Sequence, residues 1–150
     1  MKVLVTNRKA RRDYHILDTV EAGVVLKGSE VKSLRAGGGS LAGSYASVSG
    51  GEAWLHGLHI NPYDPGSSFS PDPRRTRKLL LHRREINKLA SAVAVKGQTL
   101  VPLRVYLKGG LIKAELGTGK GKRSYDKRQT IRKRETERDL ARIRKVRRRK

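Results

Sequence analysis

The chain has 150 residues, with 35 Lys and Arg against 13 Asp and Glu, a formal net charge of +22, and no cysteine. Such a length holds one domain with a core and an appendage, not two ordinary domains. The charge favours a polyanionic partner, because each neutralised phosphate releases condensed counterions, and the missing thiols exclude disulfide staples, thiolate zinc sites and cysteine catalysis.

The first residues, MKVLVTNRKARRDY, place a few apolar residues before the charges, the reverse of a signal peptide. The longest aliphatic runs, Leu79–Leu81 and Val24–Leu26, fall far short of the roughly 18 residues that suggest a membrane span. A cytoplasmic protein with no membrane partner is expected. Tyr14–Val20 reads as a strand, Gly23 as a turn and Val24–Leu26 as a second strand, a hairpin-like signal. Residues 29–35 predict a short helix capped by Ser29, with Val31 and Leu34 on one face, stopped by Gly37-Gly38-Gly39. Ser44–Ser49 and Glu52–Ile60 read as strands joined by Gly50-Gly51. Residues 61–73, rich in Pro, Gly and Ser, read as a surface loop.

The clearest helix is His82–Val95, where Ile86, Leu89, Ala90 and Val93 recur at helical spacing before Gly97. Thr99–Leu107 and Leu111–Leu116 follow as strands, and Gly109-Gly110 between them is a strong hairpin signal. Five or six strands with one or two helices suit a small closed barrel, which would leave no exposed sheet edge. Composition and periodicity do not separate a barrel from a sandwich.

The charge is unevenly spread. Residues 120–150 carry 16 Lys and Arg against 4 Asp and Glu, a net +12, so more than half of the excess sits in about a fifth of the chain. A boundary between body (1–119) and tail (120–150) is placed at the GTGKGK stretch. In the tail Arg134, Arg138 and Arg142 would form one basic ridge on a helix, backed only by Leu140 and Ile143. Like charges at that spacing oppose an isolated helix, so the tail is expected to be disordered when free and helical beside RNA phosphates.

Enzyme signatures are absent. There is no GxxxxGK[ST] and no GxSxG; Gly37-Gly38-Gly39-Ser40-Leu41-Ala42 loosely fits GxGxxA but follows a helix rather than a strand. His56 and His59 lack acidic or thiol companions nearby in sequence, so no metal or other cofactor is expected. Cations cluster instead. Arg8, Lys9 and Arg11 form one group, Lys32 and Arg35 a second, Arg74–Lys78 (with Arg75 and Arg77) a third, and Lys120, Lys122 and Arg123 a fourth. Any one could be a plain solvated surface, but four together point to phosphates. The aromatics are scattered, without the run that base-by-base reading of a long single strand requires, so backbone and shape recognition of a folded RNA fits better. Tyr125 sits among Lys122, Arg123, Lys127 and Arg128, where a ring is better placed to stack on a base than to fill a core.

Several long stretches resemble the SmpB family, the protein partners of tmRNA in ribosome rescue: NRKARRDY (Asn7–Tyr14), EAGVVLKGSEVKSLRAG (Glu21–Gly37), GEAWLHGLHINPY (Gly51–Tyr63), DPRRTRKLLLHRREINKL (Asp72–Leu89), KGQTLVPLRVYLKGG (Lys96–Gly110) and GKGKRSYDKR (Gly119–Arg128). The resemblance implies a mainly β fold: an OB-type closed antiparallel β-barrel with peripheral short helices and a basic C-terminal tail. It implies binding to the tRNA-like domain of tmRNA, with Asn7 and Glu30 at positions associated with that contact. The cations of the four clusters are physical additions to that site. It implies further that the tail, starting at Tyr125, Asp126, Lys127 and Arg128 and continuing through Lys133, Arg134, Arg138 and Arg142, enters the empty mRNA channel. Tyr125 would there stack on a decoding-centre base of the small-subunit rRNA. The ribosome is a direct partner on this reading, EF-Tu and alanyl-tRNA synthetase are indirect ones through tmRNA, and the chain is a non-catalytic monomer. Rival readings are a structural ribosomal protein and an RNA-modifying enzyme. Replacing Glu30 by Ala is expected to weaken tmRNA binding with little change in melting temperature.

Overall fold

The structure, a computed structural model, describes residues 1–63 and 71–122. In chain order the elements are β1 (Lys2–Thr6), α1 (Ala10–Asp13), β2 (Tyr14–Val24), α2 (Gly28–Arg35), β3 (Gly39–Ser40), β4 (Tyr45–Ser49), β5 (Glu52–His56), β6 (His59–Ile60), β7 (Arg77–Leu80), α3 (Arg83–Ala94), β8 (Thr99–Lys108) and β9 (Leu111–Gly121). Seven strands form one antiparallel sheet in the order β1-β8-β9-β2-β7-β5-β4, and β3 pairs with β6 in a small second sheet.

Two hairpins form where paired glycines stand. Gly50-Gly51 and Gly109-Gly110 all take positive φ, between 57° and 77°, and close Ser49 on Glu52 and Lys108 on Leu111. Two consecutive positive-φ residues match the twist of the flanking strands, which glycine allows without steric cost. The hairpin expected at Gly23 does not form. β2 runs straight through it, with Lys113 of β9 opposite on one side and Leu80 of β7 on the other. A Cβ at Gly23 would lie 3.2 Å from the Leu80 Cβ, so this glycine permits close strand pairing rather than a turn.

β9 also exceeds its predicted length. It continues past Leu116 to Gly121, pairing His15 with Lys120 and Tyr14 with Gly121. The position chosen from charge as the body–tail boundary therefore lies inside a paired strand. Conversely, Glu52–Ile60 breaks in two at Gly57, and β1, α1, β3 and β7 form where the sequence predicts no element.

The inward faces meet in one core that includes Leu34, Leu55 and Leu58, each fully buried, with Leu41, Leu79, Leu100, Val105, Ala114 and Leu116. Burying each leucine contributes about 1.5–3 kcal/mol. Helix α3 docks through Leu89 and Ala92, with Ile86 and Ala90 half-buried, whereas Val93 of the expected stripe is exposed. A smaller cluster of Ala10, Val101 and Leu103, with Tyr14 and Ile16 against it, fixes α1 on the sheet. The expected closure is not made by strand pairing: among the described residues β1 and β4 are the two edges of the sheet. The sheet rolls enough to bring β4 near β8, while α2 and β3 pack against β1. These elements cover the edge that pairing with β4 would otherwise have satisfied.

Candidate nucleic-acid interface

The cluster Arg74–Lys78 divides sharply on folding. β7 carries Leu79 inward, and strand alternation puts Arg77 on the same face. Arg77 is 0% exposed and Glu30, from the first turn of α2, only 2%. Arg77 Nη2 lies 2.6 Å from Glu30 Oε2 and its Nε 2.9 Å from the same oxygen. Its Nη1 donates to the Leu58 and Arg75 carbonyls, and Nη2 also to the Pro73 carbonyl at 3.1 Å. A guanidinium has five N–H groups, and these five bonds use all of them. Arg75 donates to Glu30 from the other side, Nη2 to Oε1 at 2.5 Å, and the Lys27 N–H reaches Oε1 at 2.9 Å.

Burial alone would raise the Glu30 pKa, but bonds from Arg75, from the Lys27 backbone and from Arg77 outweigh it and hold the carboxyl below its usual range. Burial draws the Arg77 pKa down, opposed by Glu30. This cluster ties α2, the β5–β6 connection and the 73–75 segment together. Glu30 and Arg77, expected as RNA contacts, lie buried in the folded chain with their polar atoms bonded to each other, to Arg75 and to backbone groups. Lys78 pairs with Glu52 at 2.7 Å, so its charge is largely compensated. Arg74 is exposed and in no ion pair among the described residues; it is the cation of this cluster that the fold leaves to solvent. The sequence held a signal for this split: once Leu79 is placed inward, Arg77 and Arg75 share its parity.

The other predicted residues fall into two groups. Lys32 and Arg35 are exposed on α2, and the Lys32 ammonium sits 5.6 Å above the centre of the Tyr63 ring. The position of α2, and with it both cations, is held by Glu30 together with Leu34 and Val31, which pack in the core. Arg8, Lys9 and Arg11 are exposed on and before α1. Asn7 is half-buried; its amide donates to the Pro102 carbonyl at 2.9 Å and its backbone N–H to the Leu103 carbonyl at 2.8 Å, which anchors the chain between β1 and α1. Because Tyr14 follows α1 and pairs with Gly121, Lys120 and Lys122 lie next to this group. Arg123, Tyr125, Asp126, Lys127, Arg128, Lys133, Arg134, Arg138 and Arg142 lie outside the described residues. Among the described residues no group of three or more His, Asp or Glu could hold a metal ion, and no helix is long and apolar enough to cross a membrane.

A body with two exposed groups of cations and a buried ionic cluster has known counterparts. The family model described as SmpB protein matches residues 4–146. The chain belongs to the SmpB family. Among its relatives, the SsrA-binding protein of Acetivibrio thermocellus is 57% identical over 141 residues, covering 94% of this chain and 92% of the relative. That of Corynebacterium efficiens is also 57% identical, covering 94% and 86%, and that of a Geobacillus species is 52% identical, covering 94% and 91%. A solved structure described as "tmRNA-SmpB: a journey to the center of the bacterial ribosome" contains a chain that is 52% identical and superposes with a TM-score of 0.68, covering 81% of this chain and 85% of that one. The SmpB family is one of RNA-binding proteins rather than enzymes, in keeping with the missing catalytic motifs.

Proposed function

We propose that this chain binds tmRNA and delivers it to stalled ribosomes for trans-translation, without catalysing a reaction itself. The observation that carries this is its membership of the SmpB family over residues 4–146, at more than half identity to SsrA-binding proteins. The charge agrees: a net +22 and two groups of exposed cations suit a folded RNA held through its phosphates. On this reading the rolled sheet serves as an OB-type barrel. Lys32 and Arg35, with Arg74, form one phosphate-binding group; Arg8, Lys9 and Arg11, with Lys120 and Lys122, form the other.

The tail, residues 120–150, is the second working part. Beyond Lys122 its net +10 keeps it unfolded alone and lets it fold beside rRNA phosphates in a vacant mRNA channel, with Tyr125 stacked on a decoding-centre base. An mRNA and the tail cannot occupy that channel together, so the tail senses vacancy. EF-Tu and alanyl-tRNA synthetase then act through tmRNA, and the protein works as a cytoplasmic monomer. Two measurements test the reading. tmRNA should be enriched with the purified protein at moderate salt, and truncation after Lys122 should abolish tagging of nascent chains while much tmRNA affinity remains. Persistent tagging would refute the sensor role. Stoichiometric recovery with ribosomal subunits in cells lacking tmRNA would favour a structural ribosomal protein instead.

A further inference from the structure

Strands β4, β5 and β7 turn one face to the core and the other to solvent. Their register sets the outward side chains in rows. Tyr45 stands opposite His56, whose ring reaches Thr76; Ser47 stands opposite Trp54, and Trp54 opposite Lys78. The Tyr45 and His56 rings are stacked, with centroids 4.7 Å apart and planes at 17°. Ser47 Oγ lies 2.7 Å from His56 Nε2, and Thr76 Oγ1 3.3 Å from Nδ1, so both ring nitrogens are engaged and the imidazole is fixed. The Trp54 indole N–H donates to the Ser49 carbonyl at 3.3 Å. Tyr45 remains 53% exposed.

The core does not use these rings, yet strand geometry and hydrogen bonds hold them in place. We infer that this face is a stacking platform for an unpaired base of an RNA strand, a deepening that rests on the RNA-binding reading above. The chemistry of the two rows selects that occupant. They present three rings, the hydroxyls of Ser47 and Thr76 and one lysine compensated by Glu52, with the exposed Leu80 next along β7 as a single aliphatic neighbour. A protein partner would be met by a larger apolar centre, whereas a base needs a flat ring surface and stacks regardless of its identity. The net +22 draws the strand's phosphates towards the protein. Thr76 also continues directly into Arg75 and Arg74, which joins the platform to the α2 cations.

Trp54 is the single tryptophan of the chain, so its emission reports on this face. The full-length protein is titrated with a short single-stranded oligoribonucleotide and with a blunt RNA duplex of equal phosphate number. The single strand should quench Trp54 and the duplex should not. Tyr45→Ala should weaken single-strand binding about tenfold, within the range measured for one base–aromatic stack, and Tyr45→Phe should restore it. All three proteins should melt alike, since Tyr45 is exposed. Equal quenching by the duplex, or unchanged single-strand affinity in Tyr45→Ala, overturns the platform. Labelled tRNA-like RNA, followed by anisotropy, separates the two readings. If it binds normally while single strands fail to quench, the platform falls and the tmRNA reading stands. If it does not bind while Tyr45-dependent quenching persists, the platform stands and the tmRNA reading falls.

Discussion

Glu30→Ala removes the partner that both Arg75 and Arg77 share. In the folded chain the Arg77 guanidinium is 0% exposed, so it would keep its charge with only carbonyl partners left. Removing one member of a buried ion pair costs about 3–5 kcal/mol, because the remaining charge stays desolvated. At the entropy of unfolding usual for a domain of this size, that lowers the melting temperature by about 10–20 °C. This reverses the expectation of an unchanged melting temperature. RNA affinity should fall as well, but through displacement of α2 with Lys32 and Arg35, so the lost affinity and the lost stability travel together. The assay is thermal melting by circular dichroism, with filter binding to the tRNA-like domain well below the melting temperature. Arg77→Met should also be destabilising, and the double variant should cost less than the two single costs combined, since the residues share one contact. A Glu30→Ala protein that melts within a few degrees of the parent while RNA binding collapses would refute the reasoning and make Glu30 a direct contact.

Acid stability follows from the same carboxylate. Its folded pKa is depressed below 4.5, so its contribution is complete above that value and is lost as pH falls through the folded value; Glu30→Gln should flatten this acid limb in a pH series of melting curves. Gly119→Ala should be severely destabilising, because its Cβ would stand 2.3 Å from the His15 carbonyl oxygen, a backbone atom within the β2–β9 pairing that cannot step aside; thermal melting reads it directly. Replacing Lys32 and Arg35 together by Ala should leave melting unchanged and reduce the slope of log K against log salt by about 1–2, the loss of one or two phosphate contacts. Truncation after Gly119 should lower the melting temperature relative to truncation after Lys122, since it removes the residues that pair with His15 and Tyr14.

The sequence by itself determined what is local or cumulative. Paired glycines at 50–51 and 109–110 need no distant partner to turn a chain, so both hairpins were legible. The charge excess is a sum over residues and holds in any fold, so a polyanionic partner was legible too, and long matching stretches such as Glu21–Gly37 carried the family. What depends on residues far apart in sequence was not legible. Gly23 has the same lack of a side chain as a turn glycine, and only the pairing with β7, more than fifty residues later, makes it a strand position. RRTRK reads as five positions of uniform polarity, yet the face that β7 shows to the core puts Arg77 inside with Glu30, 47 residues away, and leaves Arg74 in solvent. Composition sets how much charge a chain carries, but the tertiary structure chooses which charges meet water, because desolvation is a property of the neighbours that folding brings.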